Sequence, residues 1–237
     1  MTRLSVNINK IATLRNSRGG NIPDVVEAAI NCQKFGAEGI TIHPRPDERH
    51  IKRQDVYDLK PIITTELNIE GYPDEDFLKL VTNVKATQVT LVPDSPDQLT
   101  SDHGWDIPAN KEFLREVIKR LKEEGIRTSI FVDPESKMIE EANIIGADRI
   151  ELYTASYAAK YGENPEKAIA PFVTAAKTAD MLGLCINAGH DLNLKNLQYF
   201  IGMIPSVKEV SIGHALIADA LYLGLRNTIR EYLECIR

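Results

Sequence analysis

The chain is 237 residues long, 43% hydrophobic and 26% charged, and carries a formal net charge of -6. That composition is ordinary for a soluble globular protein, the length buries a core that needs no staples, and the acidic balance disfavours nucleic acid, whose phosphates call for basic surface. The three cysteines, Cys32, Cys185 and Cys235, show no CxxC spacing, which argues against a disulfide framework or a zinc site and for a reducing cytoplasm.

From the N-terminus, Met1-Thr2-Arg3-Leu4 leads straight into a strand pattern, so no signal peptide is expected, and no run is apolar for long enough to suggest a membrane span. Strands are expected at residues 4–8, 39–43, 67–70, 88–92, 128–133, 149–153, 184–187 and 209–212. Helical runs begin near Pro23, Gln54, Pro73, Asn110, Pro134, Pro165, Leu194 and Leu216, in strict alternation with them. The joints repeat: Gly36-Ala37-Glu38-Gly39-Ile40 matches Gly146-Ala147-Asp148-Arg149-Ile150, and Gly125-Ile126 and Gly183-Leu184 punctuate two other units at the same place. A helix that ends in glycine and then enters a strand is the left-handed cap of an αβ turn. Eight such units, with no composition shift between them, predict an α/β protein whose residues 1–237 form one (β/α)8 TIM-barrel domain. The longest irregular stretch, residues 93–108, follows the fourth strand and holds Pro93, Pro96, Gly104 and the only tryptophan, Trp105. It reads either as an active-site loop that closes like a lid or as a surface insertion.

A barrel enzyme works at the C-terminal ends of its strands. Asn7, Asn9 and Lys10 end the first strand; His43 ends the second, with Arg45 and His50 in the loop beyond; Glu70 ends the third and Asp133 the fifth. Glu151 lies in the sixth, Asn187 and His190 follow the seventh, and Gly213 and His214 follow the eighth. Four of the five histidines, His43, His50, His190 and His214, therefore fall on one face, and His103 lies in the long loop. Histidine clustered in this way points to proton exchange near neutral pH. Glu70 and Glu151 sit in apolar strand runs, where an unpaired carboxylate is costly, so each is either a working acid or the structural partner of an Arg or Lys. His43 has the alternative of a hydrogen-bonded barrel histidine, and His214 that of a capping neighbour.

Phosphate has two candidate places. One is the turn Asn187-Ala188-Gly189-His190 with Ile212-Gly213-His214, at a helix start; the other is Arg45 with His50. Two places suggest two phosphorylated reactants or one bisphosphate. The rival chemistries are a metal held among the histidines and glutamates, for which no HxH stands at a strand end, and a Schiff base on Lys10. A protein that binds a phosphorylated metabolite without turnover is the third reading.

Several stretches resemble the pyridoxine 5'-phosphate synthase family: Val6-Asn7-Ile8-Asn9-Lys10-Ile11-Ala12-Thr13-Leu14-Arg15-Asn16 with Arg18-Gly19; Gly39-Ile40-Thr41-Ile42-His43-Pro44-Arg45 followed by Asp47-Glu48-Arg49-His50-Ile51; Leu67-Asn68-Ile69-Glu70; Leu91-Val92-Pro93; Asn187-Ala188-Gly189-His190; and Ile212-Gly213-His214-Ala215. The motifs keep the family's order and spacing from end to end. The resemblance implies condensation of 3-amino-2-oxopropyl phosphate with 1-deoxy-D-xylulose 5-phosphate to pyridoxine 5'-phosphate, phosphate and water, in vitamin B6 biosynthesis. It implies no metal, no organic cofactor and a cytoplasmic homo-octamer. His43 and Glu70 are similar to the family's proton acceptors and His190 to its proton donor. Arg45, His50 and Thr100 resemble residues that hold the deoxyxylulose phosphate, Asn7 and Arg18 resemble contacts to the amino ketone, and Asp191, Gly213 and His214 resemble the cradle of its phosphate. Glu151 resembles a further polar residue of the site, and residues 93–104 the loop that closes over it. Three positions depart from the common pattern. Asn9-Lys10 stands where many members have Asp-His against the deoxyxylulose phosphate, Asp191 where glycine is usual, and Pro44 where leucine is common.

Overall fold

Alternation along the strands decides what faces what in this computed structural model, which describes residues 1–94, 98 and 101–237. The strands are β1 (Arg3–Asn7), β2 (Gly39–Ile42), β3 (Glu66–Gly71), β4 (Gln88–Leu91), β5 (Arg127–Val132), β6 (Arg149–Tyr153), β7 (Cys185–Gly189) and β8 (Val207–Ile212). All pair in parallel in sequence order, and β8 returns to β1 to close the barrel. Residues such as Leu4, Val6, Ile40, Leu67, Ile69 and Ile150 are buried in one core with the apolar faces of the helices.

The intervening residues are polar and face the lumen. Thr90 on β4 donates to Glu151 on β6 at 3.3 Å, two strands away, which only a contact across the interior allows. Ser5, Thr41, Asn68 and Thr90 continue that layer through bonds of 2.7–3.4 Å. Below it, Glu66 is held by Arg3 and Arg127, Arg127 Nε donates to Gln88 at 2.9 Å, and Gln88 reaches Glu209 at 3.4 Å. Bulky aliphatic side chains usually fill a (β/α)8 interior. Here a hydrogen-bonded polar column does, and it leads upward to the rim.

Eleven helices cover the barrel among the described residues: α1 (Asn9–Asn16), α2 (Val25–Lys34), α3 (Arg53–Leu59), α4 (Glu75–Val84), α5 (Lys111–Glu123), α6 (Ser136–Ile144), α7 (Ala155–Tyr161), α8 (Pro165–Leu182), α9 (Leu197–Met203), α10 (His214–Leu223) and α11 (Leu225–Cys235). Most follow the usual rules of amphipathic helices. In α5, for example, Leu114, Val117, Ile118 and Leu121 form the buried stripe. Side chains of Asp24, Asp74 and Asn164 cap α2, α4 and α8. The repeated joints carry the left-handed glycines they call for, Gly36 at φ +110° and Gly146 at φ +85°.

Three helices differ from expectation. Asn9 and Lys10 do not end β1; they open α1, which the sequence hides because only Ala12 and Arg15 of it are buried. The short α7 follows β6 directly. The apolar C-terminal run is two helices, broken at Gly224 with φ +74°. No helix among the described residues is long and apolar enough to cross a membrane.

Candidate active site

At the C-terminal rim the strand ends surround a cleft of about 510 Å³, within the size range of small-molecule sites. β1 brings Asn7 to it, the first turn of α1 brings Asn9 and Lys10, β3 brings Glu70 and β6 brings Glu151. The loops after β2 and β7 add His43, Arg45 and His50, and His190 and Asp191; Gly213 and His214 come from the start of α10. Four histidines thus share one cavity, while His103 is exposed and paired with Asp102. Arg18 is not brought to the cleft: it stands exposed in the turn after α1, ahead of Gly19 at φ +70°. Thr100 lies outside the described residues, as does part of the loop 93–108.

His43 Nδ1 and Glu70 Oε2 are 3.9 Å apart, and both residues are buried. Burial, reinforced by the positive charge of Arg45, holds His43 well below the ordinary imidazole range. Burial also lifts Glu70 well above the usual carboxyl range, with Glu151 and Asp94 adding to it. Glu151 is pushed up to about 8 by burial and by Glu209. The site therefore sets an imidazole biased toward its neutral form beside carboxyls biased toward their protonated form, a base and an acid within reach of one reactant. Among the described residues neither glutamate forms an ion pair with an Arg or Lys, so the structural-partner alternative has no partner here. The asparagines of β1 and α1 orient this pair. Asn9 Oδ1 accepts the backbone N–H of His43 at 2.9 Å, Asn7 Oδ1 accepts the backbone N–H of Asn9 at 3.0 Å, and Asn7 Nδ2 lies 3.5 Å from Glu70 Oε2.

His190 stands on a strained turn. It and Asp191 both adopt left-handed backbone, φ +80° and +58°, which costs a residue with a side chain ~1–3 kcal/mol. Neighbours enforce it: Thr154 Oγ1 donates to Gly189 O at 2.6 Å and to His190 O, and the amides of Asn193 and Asn196 donate to Asp191 O at 3.1 and 3.2 Å. The ring packs against Phe131 and Tyr153, with centroids 4.9 and 5.2 Å away. Burial lowers its pKa, against the opposing pull of Asp191 and Asp94. A Cβ on Gly189 would meet Glu151 Oε1 at 2.5 Å, so the glycine of Asn-Ala-Gly-His makes room for that carboxyl. Asn187 faces away from the cleft, accepting from Arg149 at 2.9 Å.

Arg45 lines the cleft. Its buried guanidinium is engaged by the Asp94 carboxylate and by Gln98 O at 3.0 Å, both in the loop after β4. A buried cation requires such compensation. Ser101 Oγ donates to the same Asp94 oxygen at 2.7 Å, and Ser101 lines the cleft. Asp94, Ser101 and Thr154 were not singled out in the sequence; for Asp94 the available signal was an acid just past Leu91-Val92-Pro93 at a strand end. His50 is pushed down to about 4 by burial and then by Arg45 and Lys10. Lys10 is exposed at the mouth of the cleft, unlike the desolvated amine that Schiff-base chemistry needs. No group of three or more metal-binding side chains converges among the described residues.

Residues 4–237 match the family described as "Pyridoxal phosphate biosynthesis protein PdxJ". The chain belongs to this family. Curated relatives in the PdxJ family include pyridoxine 5'-phosphate synthases of Bacteroides thetaiotaomicron, 63% identical over all of both chains, and of Porphyromonas gingivalis, 60% identical over 99% of this chain and 98% of that one. The solved structures of a phosphoribosylanthranilate isomerase from Thermotoga maritima and a thiamine phosphate pyrophosphorylase from Pyrococcus furiosus overlay with TM-scores of 0.63 and 0.64. The first covers 100% of this chain and 98% of its own at 14% identity; the second covers 99% and 95% at 11%. At those identities they speak for the barrel alone.

Proposed function

We propose that this PdxJ-family chain is a pyridoxine 5'-phosphate synthase, one domain over residues 1–237, that condenses 3-amino-2-oxopropyl phosphate with 1-deoxy-D-xylulose 5-phosphate. The observation that carries the reading is the convergence of His43, Glu70 and Glu151 in one cleft, with His43 Nδ1 3.9 Å from Glu70 Oε2; burial there lowers the pKa of the imidazole and raises those of both carboxyls. Full-length identity of 63% to a named synthase supports it.

The amino ketone lies on the Asn7 side, its phosphate on the backbone N–H groups at the start of α10, beside Gly213 and His214, where the helix dipole favours an anion. A Cβ on Gly213 would come within 3.2 Å of Asn7 Oδ1, so glycine keeps the two close. The sugar phosphate lies toward Lys10, Arg45 and His50. The amine attacks the ketone carbon while His43 takes a proton; a protonated glutamate gives one to the departing hydroxyl, and water leaves to form the imine. His43 or the now ionised Glu70 removes C–H protons, His190 returns one as phosphate departs, and carbon–carbon bond formation with loss of water closes the aromatic ring. Bound phosphate anions raise the pKa of His190, which prepares it to donate.

The reaction is proposed to need no metal and no organic cofactor, in the cytoplasm, where the three free cysteines stay reduced. Leu221, Tyr222 and Leu223 of α10 are exposed, which supports a homo-oligomer, proposed as an octamer, and light scattering measures it. Complementation tests the function: in a bacterium lacking its own synthase, the gene restores growth without B6 vitamers, and His43→Ala and Glu70→Gln do not. Growth supported equally by both variants overturns the reading.

A further inference from the structure

The loop between β2 and α3 carries Arg45 and His50 yet has no helix or strand of its own. What holds it is α1. Arg15, 3% exposed, bonds Asp55 through both terminal nitrogens at 2.6 and 2.9 Å, and Nη2 also donates to His50 O at 3.1 Å. Arg15 Nε donates to Asn16 Oδ1 at 3.0 Å, which turns the Asn16 amide nitrogen toward three consecutive carbonyls, Glu48 at 3.3 Å, Arg49 at 3.2 Å and His50 at 2.8 Å. Asp55 also accepts the Lys52 N–H at 2.7 Å, at the start of α3. The His50 carbonyl therefore takes two donors from α1, while its ring Nδ1 accepts the Ile51 N–H at 2.9 Å. An uncharged imidazole that accepts on Nδ1 carries its proton on Nε2.

We propose that Arg15 and Asn16 are positioning residues: through the backbone of residues 48–50 they hold His50 in one ring orientation and one tautomer, presenting Nε2–H to an oxygen of the sugar phosphate. The substrate half of this inference rests on the function proposed above; the tautomer half does not. Neither Arg15 nor Asn16 lines the cleft, so their effect passes through His50. Burial, with the cations Arg45 and Lys10 adding to it, favours the uncharged ring, so the clamp aligns a hydrogen-bond donor, and alignment within a narrow angle is what such a donor requires.

The test uses the full chain with ¹⁵N-labelled histidine, the His50 signals being assigned by their loss in His50→Gln. In the parent, His50 shows a protonated Nε2 and a bare Nδ1 between about pH 6 and 8. Asn16→Ala, a half-buried truncation, folds but gives a mixture of tautomers, and KM for the sugar phosphate rises about tenfold while kcat and KM for the amino ketone stay within about twofold. In a His50→Gln background, adding Asn16→Ala brings no further rise. Arg15→Lys, which keeps charge but loses the fork, behaves likewise; should it not fold, Asn16→Ala carries the test. An Asn16→Ala protein that melts lower but keeps the parent's tautomer and KM overturns the proposal. If the parent turns over neither substrate the functional reading fails, and the ring signals still decide whether the clamp exists.

Discussion

Gly104 seats the end of the long loop on β5. A Cβ there would lie 2.4 Å from Asp133 N and 2.5 Å from Val132 Cα, both main-chain atoms. Backbone at the end of a closed-barrel strand has little freedom to shift, so Gly104→Ala must lift the loop by about 1 Å to reach van der Waals distance. Lifting disturbs three bonds: Gly104 N–H to Asp133 Oδ2 at 3.0 Å, Trp105 N–H to Phe131 O at 2.9 Å, and Trp105 Nε1–H to Leu91 O at 3.0 Å. Overpacking costs ~1–3 kcal/mol and each weakened bond up to ~1 kcal/mol, so the loss is ~2–5 kcal/mol. For a chain of this size the melting temperature falls by roughly 5–15 °C. Calorimetry reads it, with Gly20→Ala as the control, because a Cβ on Gly20 meets nothing within 4 Å. The same loop carries Asp94, the partner of Arg45, so KM for the sugar phosphate also rises. A loss below about 1 kcal/mol, indistinguishable from the control, refutes the steric argument.

Glu151 titrates at about 8 in the folded protein against a reference near 4.5. A raised folded pKa gives stability that is full below the unfolded value and lost as pH rises through the folded one, so parent stability declines between these two pH values. Glu151→Gln flattens that limb, and parallel decline in urea melts of both proteins contradicts it. Glu66→Ala leaves Arg3 and Arg127 without their shared carboxylate at the barrel floor. The pair is partly solvated, so the expected loss is ~1–3 kcal/mol, below that of a fully buried pair, with both KM values unchanged in steady-state assays. Thr154→Ala removes the hydroxyl that holds the Gly189 and His190 carbonyls; denaturation shows ~1–2 kcal/mol lost, and kcat falls because the turn under His190 relaxes. Full kcat in that variant contradicts the role given to the strained turn.

The barrel was legible in the sequence because strand-like and helical runs alternate eight times and four of the joints, at Gly36, Gly125, Gly146 and Gly183, carry a glycine-capped helix that leads into a strand. The rim of the candidate site was legible because strand ends are fixed by that count, which places His43, Glu70, Glu151 and His190 together. What stayed hidden depends on packing. Helix α1 shows no apolar stripe because its buried face is Ala12 and Arg15, the latter serving a loop rather than a core. The polar lumen was present as the alternation Arg3-Leu4-Ser5-Val6-Asn7, yet nothing local says which set points inward. The Arg45–Asp94 pair joins residues far apart in sequence across two loops, and the room Gly189 makes for Glu151 joins two strands. Such relations exist only once the barrel closes.

The most direct test of the central claim is turnover in a defined mixture: purified protein, both phosphorylated substrates and excess chelator, followed by mass and by the absorbance of the pyridinol ring. Pyridoxine 5'-phosphate appearing together with an equal amount of inorganic phosphate, and lost in Glu70→Gln, is the result this account predicts. Folded protein that binds both substrates and releases neither product contradicts it.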